Sequence, residues 1–190
     1  SDAAQKLAIL VQLSYRTEDS WQSIPCTGIE QLSLDDLQCT HQMGYRIKLL
    51  GIAQLVDNGL EIHVSPTLVR CGQPLAEVRN SEIAISVVGD ISGRIFFQGR
   101  GAGQMPTASA VVSDMVELAE RRACGASSAI RDMIVGEEAI RVGNIHSVET
   151  RYYLRFLVAD RLGVLEGIAR ILSEERISIA SVRQEERDFE

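Results

Sequence analysis

Two runs rich in Ile, Leu and Val, Tyr45–Val56 and residues 60–69, flank the tripeptide Asp57-Asn58-Gly59. No other feature constrains the fold as strongly. An Asp/Asn-Gly step between two strand-like runs is a tight-turn signal, so it commits both runs to one antiparallel hairpin. A second pair, EIAISVVGD and GRIFFQG, surrounds Asp90-Ile91-Ser92-Gly93 and reads the same way. Helical segments bracket the hairpins. Residues 2–15 form a run dominated by Ala and Leu, with Asp2 in the first turn, where the helix dipole favours a carboxylate. Its centre, Leu7 to Val11, is apolar nearly all round, which predicts a buried helix. Ser33-Leu34-Asp35-Asp36 resembles a capping box with Asp at the third position, and Gly44 is a natural stop for the short helix that follows. Residues 74–78 read as a helical turn. Downstream of Gly99-Arg100-Gly101-Ala102-Gly103, a long segment places Ala110, Val111, Asp114, Leu118 and Ala119 at helical spacing. The order helix, helix, hairpin, hairpin, helix predicts an α+β fold, a mostly antiparallel mixed sheet packed with helices.

The chain has 190 residues, of which 45% are hydrophobic and 24% charged, enough apolar material for a core. A net charge of -7 argues against non-specific binding of nucleic acid, which needs clustered Lys and Arg, and against a polybasic membrane surface. No apolar run is long enough to span a bilayer, and the first residues lack a basic segment followed by a cleavage site. The absence of an initial Met points to a processed or cut chain. Cys26, Cys39, Cys71 and Cys124 form no C-x-x-C pair, and no two histidines stand at ligand spacing. Free thiols in a reducing cytoplasm are expected, with no zinc or other metal.

After residue 123 the pattern weakens, and residues 123–150 read as a linker. A compact β-α-β pattern follows. RYYLRFLVAD alternates like a strand with Tyr152, Leu154, Phe156 and Val158 on one face. Asp160 to Gly163 makes a turn, Val164, Leu165, Ile168, Ile171 and Leu172 have helical spacing, and ISIASV reads as a second strand. The expected domains are thus 1–122 and 151–190. The second is too small to stand alone, so another chain or further sequence completes it.

Three features can carry chemistry. Asp2 and Lys6 face each other at i,i+4 on the first helix. Such a pair is commonly a surface ion pair worth ~0.3–0.5 kcal/mol. The rarer alternative is a lysine held by a carboxylate, ready to position and protonate a substrate oxygen. The Gly101–Gly103 turn leads into a helix start where free N–H groups attract anions, yet it fits neither the Walker nor the Rossmann spacing and equally serves as a plain connection. Asp160-x-x-Gly163 is either a strand-to-helix turn or a place where helix-start N–H groups receive an amino-acid carboxylate.

DAAQKLAIL, MGYRIKLLGIA, VSPTLV, QPLAEV and GRGAGQMPTASAVVSD, in this order and spacing, resemble the substrate-binding and dimerisation portion of homoserine dehydrogenase over residues 1–122. Residues 151–184, through D-R-x-G-V-L and ISIASV, resemble the first half of an ACT domain, a ferredoxin-like amino-acid-sensing module. The resemblance implies NAD(P)H-dependent, reversible reduction of L-aspartate 4-semialdehyde to L-homoserine, in the biosynthesis of threonine, methionine and isoleucine. It assigns proton transfer to Lys6 and substrate holding to Asp2 and Lys6. It places Gly103 and Thr107 beside NAD or NADP, and an effector such as threonine near Asp160 and Gly163. It also implies a homodimer. The nucleotide-binding domain is absent from this sequence, so the chain alone is expected to be inactive.

The sequence departs from the family pattern at several places. Ser65 replaces a usual His, Ile83 a common Asn, and Leu162 the Pro of the ACT turn. Arg176 stands where Gly or Asn normally stops a helix. The competing expectation is a non-catalytic amino-acid-sensing and dimerisation module.

Overall fold

A computed structural model of the chain describes residues 2–17, 20–57, 59–125 and 150–184. Asn58, most of the expected linker (126–149) and the end of the charged tail (185–190) lie outside the described residues. By contact the chain divides into two compact units, Ser1–Thr150 and Arg151–Glu190.

In the first unit, β1 (Tyr45–Val56) and β2 (Gly59–Arg70) pair antiparallel from Tyr45 opposite Arg70 to Val56 opposite Gly59. Only residues 57 and 58 connect them, and Gly59 takes φ 129°, a value other residues reach only under strain. β3 (Glu82–Gly89) and β4 (Gly93–Arg100) form the second hairpin, with Gly89 opposite Gly93 and a three-residue loop. Gly93 is left-handed at φ 67°, as such a loop requires. The strands form two separate two-stranded antiparallel sheets. Helices with antiparallel strands give the expected α+β class, with the strands in two hairpins rather than one sheet; among the described residues the parallel character is confined to a single bridge, Cys26 beside Val64. There the Thr27 N–H donates to the Val64 carbonyl at 2.8 Å and the Val64 N–H to the Pro25 carbonyl at 2.9 Å, which closes that edge of β2.

The core lies on one face of the first hairpin. Alternation along β2 puts Leu60, Ile62 and Val64 on that face. They pack against Ala4, Leu7 and Val11 of α1 (Asp2–Tyr15), with Ile24 at the edge. Gly51 lets α1 approach closely, since a Cβ there would lie 3.3 Å from the Leu7 side chain. α1 is not buried all round as its composition predicts. Ala4, Leu7 and Val11 form one stripe at helical spacing, while Ile9 and Leu13 on the other side are 60% and 54% exposed. One hairpin covers one face of a helix and no more.

On the opposite face of β2, Glu61 is buried. Its carboxylate accepts from Gln54 Nε2 at 2.9 Å and lies 3.1 Å from His63 Nδ1. α2 (Leu34–Gln42) begins with the full capping box: Asp36 N–H donates to Ser33 Oγ at 3.2 Å, and Ser33 N–H to Asp36 Oδ2 at 2.9 Å. Gly44, at φ 84°, follows its last turn. α3 (Pro74–Glu77) is fastened to β1. Arg46 donates to the Ala76 carbonyl at 3.3 Å and Lys48 Nζ to the Val78 carbonyl at 2.5 Å, satisfying acceptors that a single helical turn leaves open. α4 (Gln104–Ala123) contains no buried residue.

In the second unit, α5 (Val164–Glu174) is strongly amphipathic, with Val164, Ile168 and Leu172 on its half-buried side. The two strands expected beside it do not form: residues 151–160 and 177–182 enter no ladder among the described residues. Tyr152, Leu154, Phe156 and Val158 are each at least half exposed. The alternating pattern is present here without a ladder among the described residues.

Candidate active site

α1 sets the first pair of candidate residues. With Ala4, Leu7 and Val11 turned into the core, Asp2 and Lys6 stand one turn apart on a solvent-facing side. Lys6 Nζ donates to Asp2 Oδ2 at 2.8 Å, with side chains 54% and 79% exposed. The arrangement anchors an ammonium by its stem and one carboxylate while leaving its remaining N–H donors open. A group so placed can bind an oxygen on which negative charge develops, and can give it a proton.

The second pair lies at the start of α4. Gly103 is the N-cap at φ 118° and ψ 152°, a region that favours glycine, and its carbonyl accepts from Thr107 N–H at 3.1 Å. No side chain caps this end, so its first N–H groups face outward without an internal acceptor, which fits an anionic group. Pro106, in the first turn, needs no N–H there. Gly101 has a different reason: a Cβ would fall 1.8 Å from the Ile83 side chain. Ile83, one of the departures from the family pattern, thus fills the space under the glycine turn. The fold joins Asp2 to Lys6 and Gly103 to Thr107. Among the described residues no hydrogen bond or ion pair links one pair to the other.

Asp160 lies in the irregular segment before α5. Gly163 is the left-handed N-cap of α5 at φ 86°, with its carbonyl accepting from Gly167 N–H at 2.9 Å and no side-chain cap. Arg176 takes φ 59° at the other end. Ile177 N–H donates to the Leu172 carbonyl at 2.8 Å and Arg176 N–H to the Ser173 carbonyl at 3.0 Å. This is a Schellman stop made with arginine where glycine is usual. All four cysteines are free, and no group of metal-ligating side chains occurs among the described residues. No described helix is long and apolar enough to cross a membrane.

Two polar clusters escaped the sequence reading: Gln54–Glu61–His63, and Arg70 with Arg94 around a cavity. The first has a signal in strand parity; the second joins two separate hairpins and has none. Residues 61 and 63 share a face of β2, and pairing across a hairpin brings distant residues together.

The chain is thus an α+β protein whose first helix presents a carboxylate-held lysine and whose glycine turn opens an uncapped helix. The sequence profile of the homoserine dehydrogenase family matches residues 1–116. The homoserine dehydrogenase of Corynebacterium glutamicum is 37% identical over 98% of this chain, and that of Helicobacter pylori 36% identical over 97%. The crystal structure of a homoserine dehydrogenase from Thiobacillus denitrificans superposes with a TM-score of 0.74 at 35% identity, covering 96% of this chain and 43% of that one. A Staphylococcus aureus homoserine dehydrogenase structure gives 0.57 at 37% identity, covering 62% of this chain and 30% of that one. The chain belongs to the homoserine dehydrogenase family. It spans 42% of the Corynebacterium relative and 43% of the Helicobacter one.

Proposed function

We propose that this chain is the substrate-binding and assembly portion of an enzyme that interconverts L-aspartate 4-semialdehyde and L-homoserine with NAD or NADP, on the route to threonine and methionine. The observation that carries the reading is the 2.8 Å contact between Lys6 and Asp2 on a helix matched by the family profile. NAD(P)H, held mainly by residues outside this sequence, supplies the hydride. The chain's own residues do the rest. Lys6 Nζ binds the aldehyde oxygen, offsets the charge that grows on it, and donates the proton that makes the hydroxyl. Asp2 fixes the ammonium and accepts from the substrate's polar groups. The open N–H groups after Gly103, near Thr107, suit the negative groups of a dinucleotide.

The test is homoserine oxidation followed at 340 nm, with the nucleotide-binding half supplied as a separate chain. Activity should require both halves, and Lys6→Ala should lower kcat by ~10²–10³, the loss typical for removing one charge-stabilising donor. Full activity in Lys6→Ala would overturn the assignment. The family resemblance also supports a cytoplasmic homodimer. A second reading, amino-acid sensing, rests on the uncapped start of α5 at Gly163 beside Asp160. Calorimetry with threonine tests it, and a flat trace from a folded chain would remove it.

A further inference from the structure

A cavity of about 170 Å³ opens between the end of β2, the α3 turn and the second hairpin. It is open to solvent, with Arg70, Gln73 and Arg94 exposed at its rim. Arg70, Gln73 and Leu75 line one side, and Ser86, Arg94 and Phe96 the other. The strand register explains the second group. Ser86 pairs with Phe96 and Val88 with Arg94, so Ser86, Arg94 and Phe96 share one face of the hairpin.

Charge sets this cavity apart. No acidic residue lines it. Arg46, Arg79 and Arg121 each pair with a glutamate, whereas Arg70 and Arg94 have no carboxylate partner among the described residues. Two unpaired guanidiniums on one small cavity, in a chain of net charge -7, form a local reversal of sign. Their forked donors match the oxygens of a carboxylate or phosphate, the Ser86 hydroxyl and Gln73 amide add neutral hydrogen bonds, and Leu75 and Phe96 offer apolar surface.

We propose that this cavity is a binding site for a compact anion, a carboxylate or phosphate on a short apolar stem, held between Arg70 and Arg94. No residue of α1 or α4 lines it, so the site is independent of the Asp2–Lys6 chemistry.

Titration calorimetry on the 190-residue chain at low, constant ionic strength tests this with two probes, inorganic phosphate and n-butyrate. One saturable site is expected. Arg70→Gln and Arg94→Gln should each weaken binding about tenfold, and Arg94→Lys, which keeps the charge and loses the fork, by less. Tighter binding of butyrate identifies a carboxylate ligand whose stem uses Phe96. Tighter binding of phosphate identifies a phosphate ligand. Absence of saturable heat with both probes overturns the site, as does unchanged affinity in either Arg→Gln variant that circular dichroism shows to be folded.

Discussion

At the scale of single residues, Lys6 and Asp2 separate function from stability. Both side chains are more than half exposed, so their ion pair adds only about 0.3–0.5 kcal/mol to the fold. Asp2→Asn is therefore expected to leave the melting temperature of the chain within about 2 °C. In the complemented enzyme the same change should lower kcat/KM by roughly tenfold or more, because the lysine loses the group that orients it. Comparing thermal melts with 340 nm kinetics checks both halves of this expectation. A large loss of stability with unchanged kinetics would make the pair structural. Glu77 behaves differently. Its carboxyl is held below the ordinary carboxylate value by the Arg79 guanidinium, then by the Gly72 N–H and the nearby charge of Arg46. A lowered folded pKa gives stability that is fully present above the unfolded value and is lost as pH falls through the folded one. Glu77→Gln should therefore reduce stability slightly at neutral pH and flatten its decline in acid, read as melting temperature against pH. Because Glu77 is exposed, the effect is small.

At the scale of elements, local chemistry in the sequence is a good guide wherever the element closes on itself. Ser33 and Asp36 carry their own capping box, Gly59 and Gly93 their own turns, and α1 its own first turn, so each was legible from a few adjacent residues. Elements that need a distant partner were not. The segments flanking α5 alternate correctly but form no ladder among the described residues. The exposed half of α1 and the convergence of Arg70 with Arg94 depend on which hairpin faces which, and no short motif encodes that. Two substitutions probe the ends of helices. Ser33→Ala removes the oxygen that serves Asp36 N–H and the hydroxyl that bonds the Asp36 carboxylate at 2.7 Å, and should destabilise the first unit by about 1 kcal/mol in urea unfolding. Arg176→Gly relieves a left-handed residue that costs roughly 1 kcal/mol, and should stabilise α5 by about that amount. Destabilisation by Arg176→Gly would mean that the arginine side chain outweighs its backbone strain.

At the scale of the whole molecule, the distribution of apolar surface shows that the first unit does not cover itself. α4 exposes Val111, Val112, Met115, Val116 and Leu118, each more than half accessible. The face of the second hairpin opposite the Arg94 cavity adds Val87, Ile95 and Phe97, which share one strand parity. Isolated apolar residues on a surface are ordinary, but contiguous apolar faces on a helix and on a sheet mark surfaces that other protein covers. A homodimer and a nucleotide-binding half are the two covers that the proposed function supplies, and they differ in what they require. Self-association needs only this chain. Sedimentation velocity should then show a concentration-dependent shift to a dimer in the micromolar range, and Phe97→Glu, which places a charge at the centre of the hairpin's apolar face, should weaken it at least tenfold while circular dichroism stays unchanged. If the wild-type chain sediments as a monomer at every concentration and associates only when the nucleotide-binding half is added, the apolar faces belong to the contact between the halves, and the dimer must be built elsewhere.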